Sequence, residues 1–389
     1  MEKVIGGGDN PRPPSCPDRV AFSVFRYFPF GGLQRDMMRI AEELVSRDIR
    51  VVIYCLRWDG PEPPPGITCR QLPARGWSNH RRARNFARAL AEELEREKFP
   101  VHVAFNRLTP ADWHFAADMP FETGVRRSFL EKLMPRYRTF SAMERELFSP
   151  DNPTRIMCIT YAQKRAYQRI YGTQNERMCI LPPGIDRRFD GAWKLREKRD
   201  ELRAELGIHE DEVLLIQVSS AFHTKGVDRS IAALASLPRE LRDRTRMLVV
   251  GRGRPSAFAA FAGRCGVGRQ VIFAGARDDV AELIAAADLM IHPARNEAAG
   301  AVLLESLACG TPVLCSANCG FAPLVREAGN LVLPRRFRQK LLNRTLLVAL
   351  STPDKLADLQ REAENYGRNG DFYRRAQYAA DLITGVEPR

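Results

Sequence analysis

No stretch of the chain approaches 18 uninterrupted apolar residues, which excludes a membrane-crossing helix from the sequence reading. Met1 to Arg19 hold no apolar core of signal-peptide length, so export is not expected. Gly6-Gly7-Gly8 with Pro11, Pro13, Pro14 and Pro17 reads instead as a flexible leader, residues 1–18. The nine cysteines include no CxxC pair, and Cys309, Cys315 and Cys319 cluster without a histidine or second pair at zinc spacing. Disulfides and structural zinc are therefore not expected, and a reducing cytosol is the expected compartment. Acids are outnumbered, 47 Asp+Glu against 60 Lys+Arg, leaving a formal charge of +13. Acid is absent altogether from two runs: Arg75 to Arg88, with Arg81, Arg82 and Arg84, and Arg335 to Arg344. Such runs are either solvated faces or meet an anionic partner. With no zinc finger or RNA-binding aromatic motif beside them, nucleic acid is not the expected partner.

What is present is a repeating alternation. Strand-like apolar runs at Val20–Phe25, Val51–Cys55, Val101–Phe105 and Ile156–Tyr161 are followed by a second series. That series runs through Val213–Val218, Met247–Val250, Val271–Ala274, Leu289–His292 and Pro312–Cys315. Short β-rich runs separated by helical patterns imply parallel sheets covered on both faces. The first helix is marked by Leu33, Met37, Ile40, Ala41, Leu44 and Val45, which share one helical face. Two series in 389 residues imply two doubly wound α/β domains, with a seam near Leu181-Pro182-Pro183-Gly184. A mixed-charge helix is expected from Trp193 to Leu206, and a last helix around Asp371 to Ile383. Ligands of open parallel sheets bind at the carboxyl ends of the strands, so two such domains are expected to face each other across a cleft.

Three motifs fall where such ligands would sit. Phe28-Pro29-Phe30-Gly31-Gly32-Leu33-Gln34-Arg35-Asp36 joins the first strand to the first helix, and its glycines let backbone approach a ligand, or simply make a tight turn. Ala221-Phe222-His223-Thr224-Lys225-Gly226 follows Val213–Val218; a lysine there can meet a diphosphate as a point charge, or lie on the surface. The richest is His292-Pro293-Ala294-Arg295-Asn296-Glu297-Ala298-Ala299-Gly300-Ala301-Val302-Leu303-Leu304-Glu305. Here Glu297 and Glu305 can accept hydroxyl hydrogen bonds while the amides of Gly300, Ala301, Val302 and Leu303 at a helix start hold phosphate. A sugar nucleotide presents those groups in that order. Each acid alone also fits a helix cap or an exposed helix glutamate.

The spacing of Glu297 and Glu305 resembles the E-x7-E pattern of glycosyltransferase family 4, retaining enzymes of the GT-B fold. Lys225-Gly226 and Gly31-Gly32 fall where that family keeps its phosphate lysine and N-domain glycine loop. Tyr27 to Asp36, Asn79-His80-Arg81-Arg82, Tyr171-Gly172-Thr173 and Leu181-Pro182-Pro183-Gly184-Ile185 resemble the lipopolysaccharide core glucosyltransferase I branch, from about Arg19 to the C-terminus. One departure stands out: Ser220 occupies the position where the family usually has an arginine, five residues before the lysine, and His223 is the nearby group to supply donor capacity.

The resemblance implies a GT-B fold with an acceptor-binding domain over 19–184, a nucleotide-sugar-binding domain over 185–370, and a terminal segment, 371–389, packing back on the first domain. It implies transfer of a hexose, foremost glucose from UDP-glucose, onto a heptose of a lipid-linked inner core, with the α configuration kept. Gly31, Gly32, Lys225, Gly300, Ala301, Val302, Leu303 and Glu305 would bind the donor, Glu297 the sugar, and His80, Arg81 and Arg82 the acceptor or an anion. Asp118 and Asp36 are the acceptor-side carboxylates, each also readable as a capping or surface acid. No cofactor is expected, and no metal, since the chain has no Asp-x-Asp triplet. The segment Phe121 to Phe148 mixes Arg126, Arg127, Lys132, Arg136, Arg138 and Arg145 with aromatic and aliphatic side chains, implying a peripheral seat on the anionic cytoplasmic face of the inner membrane, although Glu122, Glu131, Glu144 and Glu146 dilute the charge and an ordinary amphipathic core helix reads equally. Other readings are a GT-B transferase with another UDP-hexose or lipid-linked acceptor, a phosphorylase, for which no pyridoxal phosphate lysine site is evident, and a non-catalytic sugar- or membrane-binding module.

Overall fold

A computed structural model describes residues 17–29, 31–123 and 129–387. Most of the leader, Phe30 of the glycine motif, and Arg126 and Arg127 of the basic segment lie outside the described residues. The chain divides into two compact units. The first runs up to Cys158, resumes over Lys164–Leu181 and ends with the segment from Arg375; the second comprises Ile159–Gln163 and Pro182–Arg374.

The first unit is built on a seven-stranded sheet of β1 (Arg19–Tyr27), β2 (Arg50–Trp58), β3 (Ile67–Gln71), β4 (Val101–Ala104), β5 (Trp113–Ala116), β6 (Arg155–Cys158) and β7 (Met178–Ile180). Its order is β3-β2-β1-β4-β5-β6-β7, with every pairing parallel. Val20, Ala21 and Phe22 are consecutive and fully buried, as a strand covered on both faces requires. The helix Gly32–Val45 turns Met37, Ile40, Ala41 and Leu44 inward. The helix Arg375–Thr384 packs against it, burying Ala379, Ala380 and Ile383. Arg375 pairs with Asp36 at 3.0 Å from helix to helix, and Arg47, just past the end of the first helix, pairs with Asp381 at 2.7 Å.

The second unit holds β8 (Val213–Val218), β9 (Thr245–Val250), β10 (Val271–Gly275), β11 (Leu289–His292), β12 (Val313–Ser316) and β13 (Leu331–Leu333), in the parallel order β10-β9-β8-β11-β12-β13. In each sheet the order reverses once, between β1 and β4 and between β8 and β11. Crevices for ligands open at such reversals, beyond the carboxyl ends of the flanking strands.

The sequence reading omits β3, β5, β7 and β13, which are short. The expected helix from Trp193 to Leu206 is instead a 3-10 turn, Ala192–Lys198, followed by the α-helix Arg199–Glu205. Arg196 in the turn donates to the carbonyls of Ala285 and Ala287, while Arg203 is buried and binds Asp288 and the carbonyls of His209 and Glu212. These arginines, which read as surface charge, fasten the entry of the second unit.

Candidate active site

The second unit brings the second and third motifs together at its sheet reversal. β8 leads into the one-turn helix Phe222–Lys225, which Gly226 closes in the left-handed region (φ 75°) before the helix Val227–Ala235. A Cβ on Gly226 would lie 2.4 Å from the Pro293 carbonyl oxygen, so the turn and the chain leaving β11 touch backbone to backbone. This close approach requires glycine on both counts.

Across that contact, Lys225 Nζ forms an ion pair with Glu297 Oε2 and lies 3.4 Å from the Asn296 carbonyl oxygen. His292, the last residue of β11 and 1 % exposed, sets its Nε2 3.5 Å from the same Glu297 oxygen. Burial pushes the Glu297 carboxyl up, but His292 and Lys225 outweigh it and hold the group below the usual carboxylate range. Glu297 is therefore an anion at neutral pH, with a backbone fixed by its neighbours: its amide donates to Asn318 and its carbonyl accepts from Gly320.

The helix Ala301–Ala308 starts three residues beyond Asn296–Ala298, at Gly300 (φ 86°), with no side chain capping it. Uncapped first-turn amides and the positive end of the helix favour an anion there. Of the expected amide donors, Leu303 already bonds the Gly300 carbonyl at 3.0 Å. Glu305 lies one turn further in and is buried at 6 % exposure. His223 is exposed, and the structure uses its carbonyl rather than its ring, as an acceptor for Arg295 at 2.6 Å.

In the first unit, Gly31 caps the helix that Gly32 begins, and a Cβ on Gly32 would meet nothing within 4 Å. Asp118 is exposed in the loop after β5, not directly after the strand at Val101–Ala104, and its backbone carbonyl accepts the Tyr167 hydroxyl at 3.1 Å. His114, on β5, is buried and bonded to the Ala104 carbonyl at 2.9 Å; burial, then Arg107, drive its pKa down to about 3. His80 is half-buried against Ser78 at 3.3 Å, and Ser78 caps the helix Asn79–Glu97. Arg81 lies over the ring of Trp77 at 4.6 Å, and Arg82 donates to Asn79 at 2.7 Å. Asp36 differs most from expectation. Its carboxylate is half-buried and committed to Arg375 at 3.0 Å and Arg39 at 3.5 Å, a role in seating the last helix.

Sequence reasoning missed His292, Asp228 and Arg295 as parts of this cluster. His292 read as a strand end, although a polar residue closing an apolar strand just before a site loop is the signal that could have found it.

Residues 198–369 match the family model of glycosyl transferases group 1, and residues 30–189 that of glycosyltransferase family 4. The chain is 41% identical over 371 residues to the lipopolysaccharide glucosyltransferase WaaG of Escherichia coli (strain K12), covering 94% of this chain and 98% of the relative. The crystal structure of WaaG, a glycosyltransferase involved in lipopolysaccharide biosynthesis, superposes with a TM-score of 0.88 at 40% identity, covering 94% of this chain and 100% of that one. The sucrose-phosphate synthase of Thermosynechococcus elongatus shares the fold at a TM-score of 0.74 and 18% identity, over 95% and 97% of the two chains.

Proposed function

Because this chain belongs to glycosyltransferase family 4, in the branch of the lipopolysaccharide core glucosyltransferases, we propose that it moves glucose from UDP-glucose onto a heptose of the lipid-linked inner core, with retention. The observation that carries the reading is the Lys225–Glu297 pair at the reversal of the second sheet, beside the uncapped start of the helix Ala301–Ala308. A diphosphate entering there meets the lysine and the amides of Gly300, Ala301 and Val302, so charge developing on the departing UDP is stabilised by groups already in place. Glu297 accepts from the sugar hydroxyls and Glu305 from the ribose. The bond between sugar C1 and the β-phosphate oxygen breaks, the acceptor oxygen bonds C1, and its proton passes to a carboxylate, for which Asp118 is the proposed group.

Lysine and helix amides do the work that a divalent ion does elsewhere, so the proposed reaction needs no metal. In the first unit, Gly32 leaves backbone open to phosphate, Gly31 beside it is packed against the Gln34 side chain, and His80, Arg81 and Arg82 are proposed to meet the acceptor or its anionic groups. Among the described residues no helix is long and apolar enough to cross a membrane. Leu133 and Met134 are 54% and 56% exposed beside exposed Lys132, Arg136 and Arg138, which supports a peripheral seat on the cytoplasmic leaflet.

The test is a donor panel of UDP-glucose, UDP-galactose and UDP-N-acetylhexosamines against core-truncated lipopolysaccharide, run with and without excess EDTA. Transfer from UDP-glucose that is indifferent to EDTA is expected. Preference for another donor overturns the glucose assignment, and an EDTA-induced loss restored by magnesium or manganese overturns the metal-free one.

A further inference from the structure

The turn that carries Lys225 is short, and Arg295 grips two of its carbonyls from outside. The Arg295 amide donates to the Thr224 carbonyl at 2.8 Å, and Arg295 Nη1 donates to the His223 carbonyl at 2.6 Å. The same guanidinium forks onto Asp228, Nη1 to Oδ1 at 2.8 Å and Nη2 to Oδ2 at 2.6 Å. Asp228 stands in the first turn of the helix Val227–Ala235, on the far side of Gly226 from Lys225. Arg295 therefore holds the chain on both sides of Lys225 while lying two residues from Glu297. Two further bonds close the same seam: Arg229 Nη1 to the Pro293 carbonyl at 3.2 Å, and Gln217 Nε2 to the Lys225 carbonyl at 2.8 Å.

The fork is a directed interaction. The two terminal guanidinium nitrogens each meet one carboxylate oxygen, a bidentate fork that a lysine could not reproduce. Burial raises the Asp228 carboxyl, but the Arg295 hydrogen bonds and charge outweigh it and keep Asp228 ionised. The Arg295 side chain is 30% exposed, half sunk in the seam, and its charge is met by Asp228 in place.

We propose that Arg295 and Asp228 form a positioning clamp that sets Lys225 against Glu297, so that the lysine ammonium is aligned with the diphosphate before the donor arrives. The clamp rests on the reading of Lys225 as the phosphate lysine. It acts through Lys225 and does not touch the donor itself. A misplacement of about 1 Å is enough to cost on the order of 10²-fold in rate, so a clamp of this kind shows in turnover more than in donor affinity.

The test is a set of variants assayed for transfer from UDP-glucose to core-truncated lipopolysaccharide: Arg295→Ala, Arg295→Lys, Asp228→Ala and the double Arg295→Ala/Asp228→Ala, each also made in the Lys225→Ala background. Loss of kcat by about 10-fold or more is expected for each clamp variant, with the KM for UDP-glucose changed by less than about 3-fold. The double variant should be no worse than the poorer single, and none should lower activity further once Lys225 is alanine. Arg295→Lys keeps the charge and the fold of the loop, so a folding defect in Arg295→Ala does not decide the matter; a loss in Arg295→Lys like that in Arg295→Ala supports the fork. The clamp is overturned if Arg295→Ala raises KM while Asp228→Ala does not, which would make Arg295 a direct phosphate contact. It is equally overturned if the clamp variants stay fully active while Lys225→Ala is impaired, an outcome that leaves the proposed function standing. A fully active Lys225→Ala removes the reading of the lysine and the clamp with it.

Discussion

Replacing Asp36 separates a catalytic acid from a structural one. The Asp36 carboxylate is 14% exposed and faces Arg375, 6% exposed, at 3.0 Å, with Arg39 at 3.5 Å on the other side. Removing one partner of a buried ion pair costs about 3–5 kcal/mol, because the remaining charge is left in a poor solvent. The second ion pair, from Arg47 just past the first helix to Asp381 in the last, still holds the same contact, so the low end of that range applies. For a unit of this size about 1 kcal/mol moves the melting temperature by about 2–4 °C, so Asp36→Ala should lower the melting transition of the first unit by about 6–12 °C. Asp36→Asn keeps one acceptor and should lose about half as much. The assay pairs calorimetric melting with transfer rate measured well below the lowered transition, per folded molecule. Turnover within about 3-fold of the parent is expected at that temperature, since structural loss and chemistry are then uncoupled. A fall of about 10²-fold or more in turnover with an unmoved melting temperature would refute the reasoning and return Asp36 to the chemistry.

Glu297→Ala should nearly abolish transfer while the protein stays folded, and Lys225→Ala should cost on the order of 10²-fold or more in kcat; unchanged turnover in both sinks the proposed donor site. Binding to vesicles containing anionic lipid should be salt-sensitive and weakened by charge reversal at Lys132, Arg136 and Arg138, each base being worth about 1 kcal/mol near such a surface; equal binding to neutral vesicles, or none to either, counts against the peripheral seat. His102 is held neutral: burial drives its pKa down to about 4, against the Pro110 carbonyl and Asp112, while its ring meets Ser23 at 2.8 Å. The unfolded chain therefore takes up a proton near pH 6.5 that the folded unit refuses, so stability falls as pH drops from there toward 4. Between pH 7.5 and 5 this one group should remove about 2 kcal/mol, and His102→Gln should flatten that part of the urea-unfolding profile; an unchanged profile would show that His102 is not the group responsible.

The strands that read as near-continuous apolar runs were legible, because strands buried on both faces need such runs: Val213–Val218, interrupted only by Gln217, and Leu289–His292, apolar up to its last residue, are β8 and β11 as expected. The missing strands fail that test for physical reasons. β3 is an edge strand whose Thr68, Arg70 and Gln71 face partly outward, β7 and β13 are only 3 residues long and lie at sheet edges, and β5 is 4 residues with a histidine in it. Lys225 and Glu297 were legible because each is a charged residue in a glycine-bearing loop after a strong strand. The contact between those two loops was not, since it depends on β8 and β11 being neighbours, a fact of sheet order rather than of local sequence. Arg295, Asp228 and Asp36 were opaque for the same reason: a charge on a helix or loop reads as solvated until its partner, distant in the chain, is seen beside it.

The helix Arg375–Thr384 has a consequence for the order in which the protein is made. A ribosome releases the strands of the first unit early, yet the helix that packs against Gly32–Val45 comes after the entire second unit. The later-translated unit is thus complete in sequence before the earlier one, which waits without the helix that packs against Gly32–Val45. Vectorial synthesis ordinarily lets the N-terminal domain fold first and shelter its own core. Here the nascent chain carries an unfinished seam through most of its elongation, and quality control by chaperones or proteases would find its handle there rather than in the second unit.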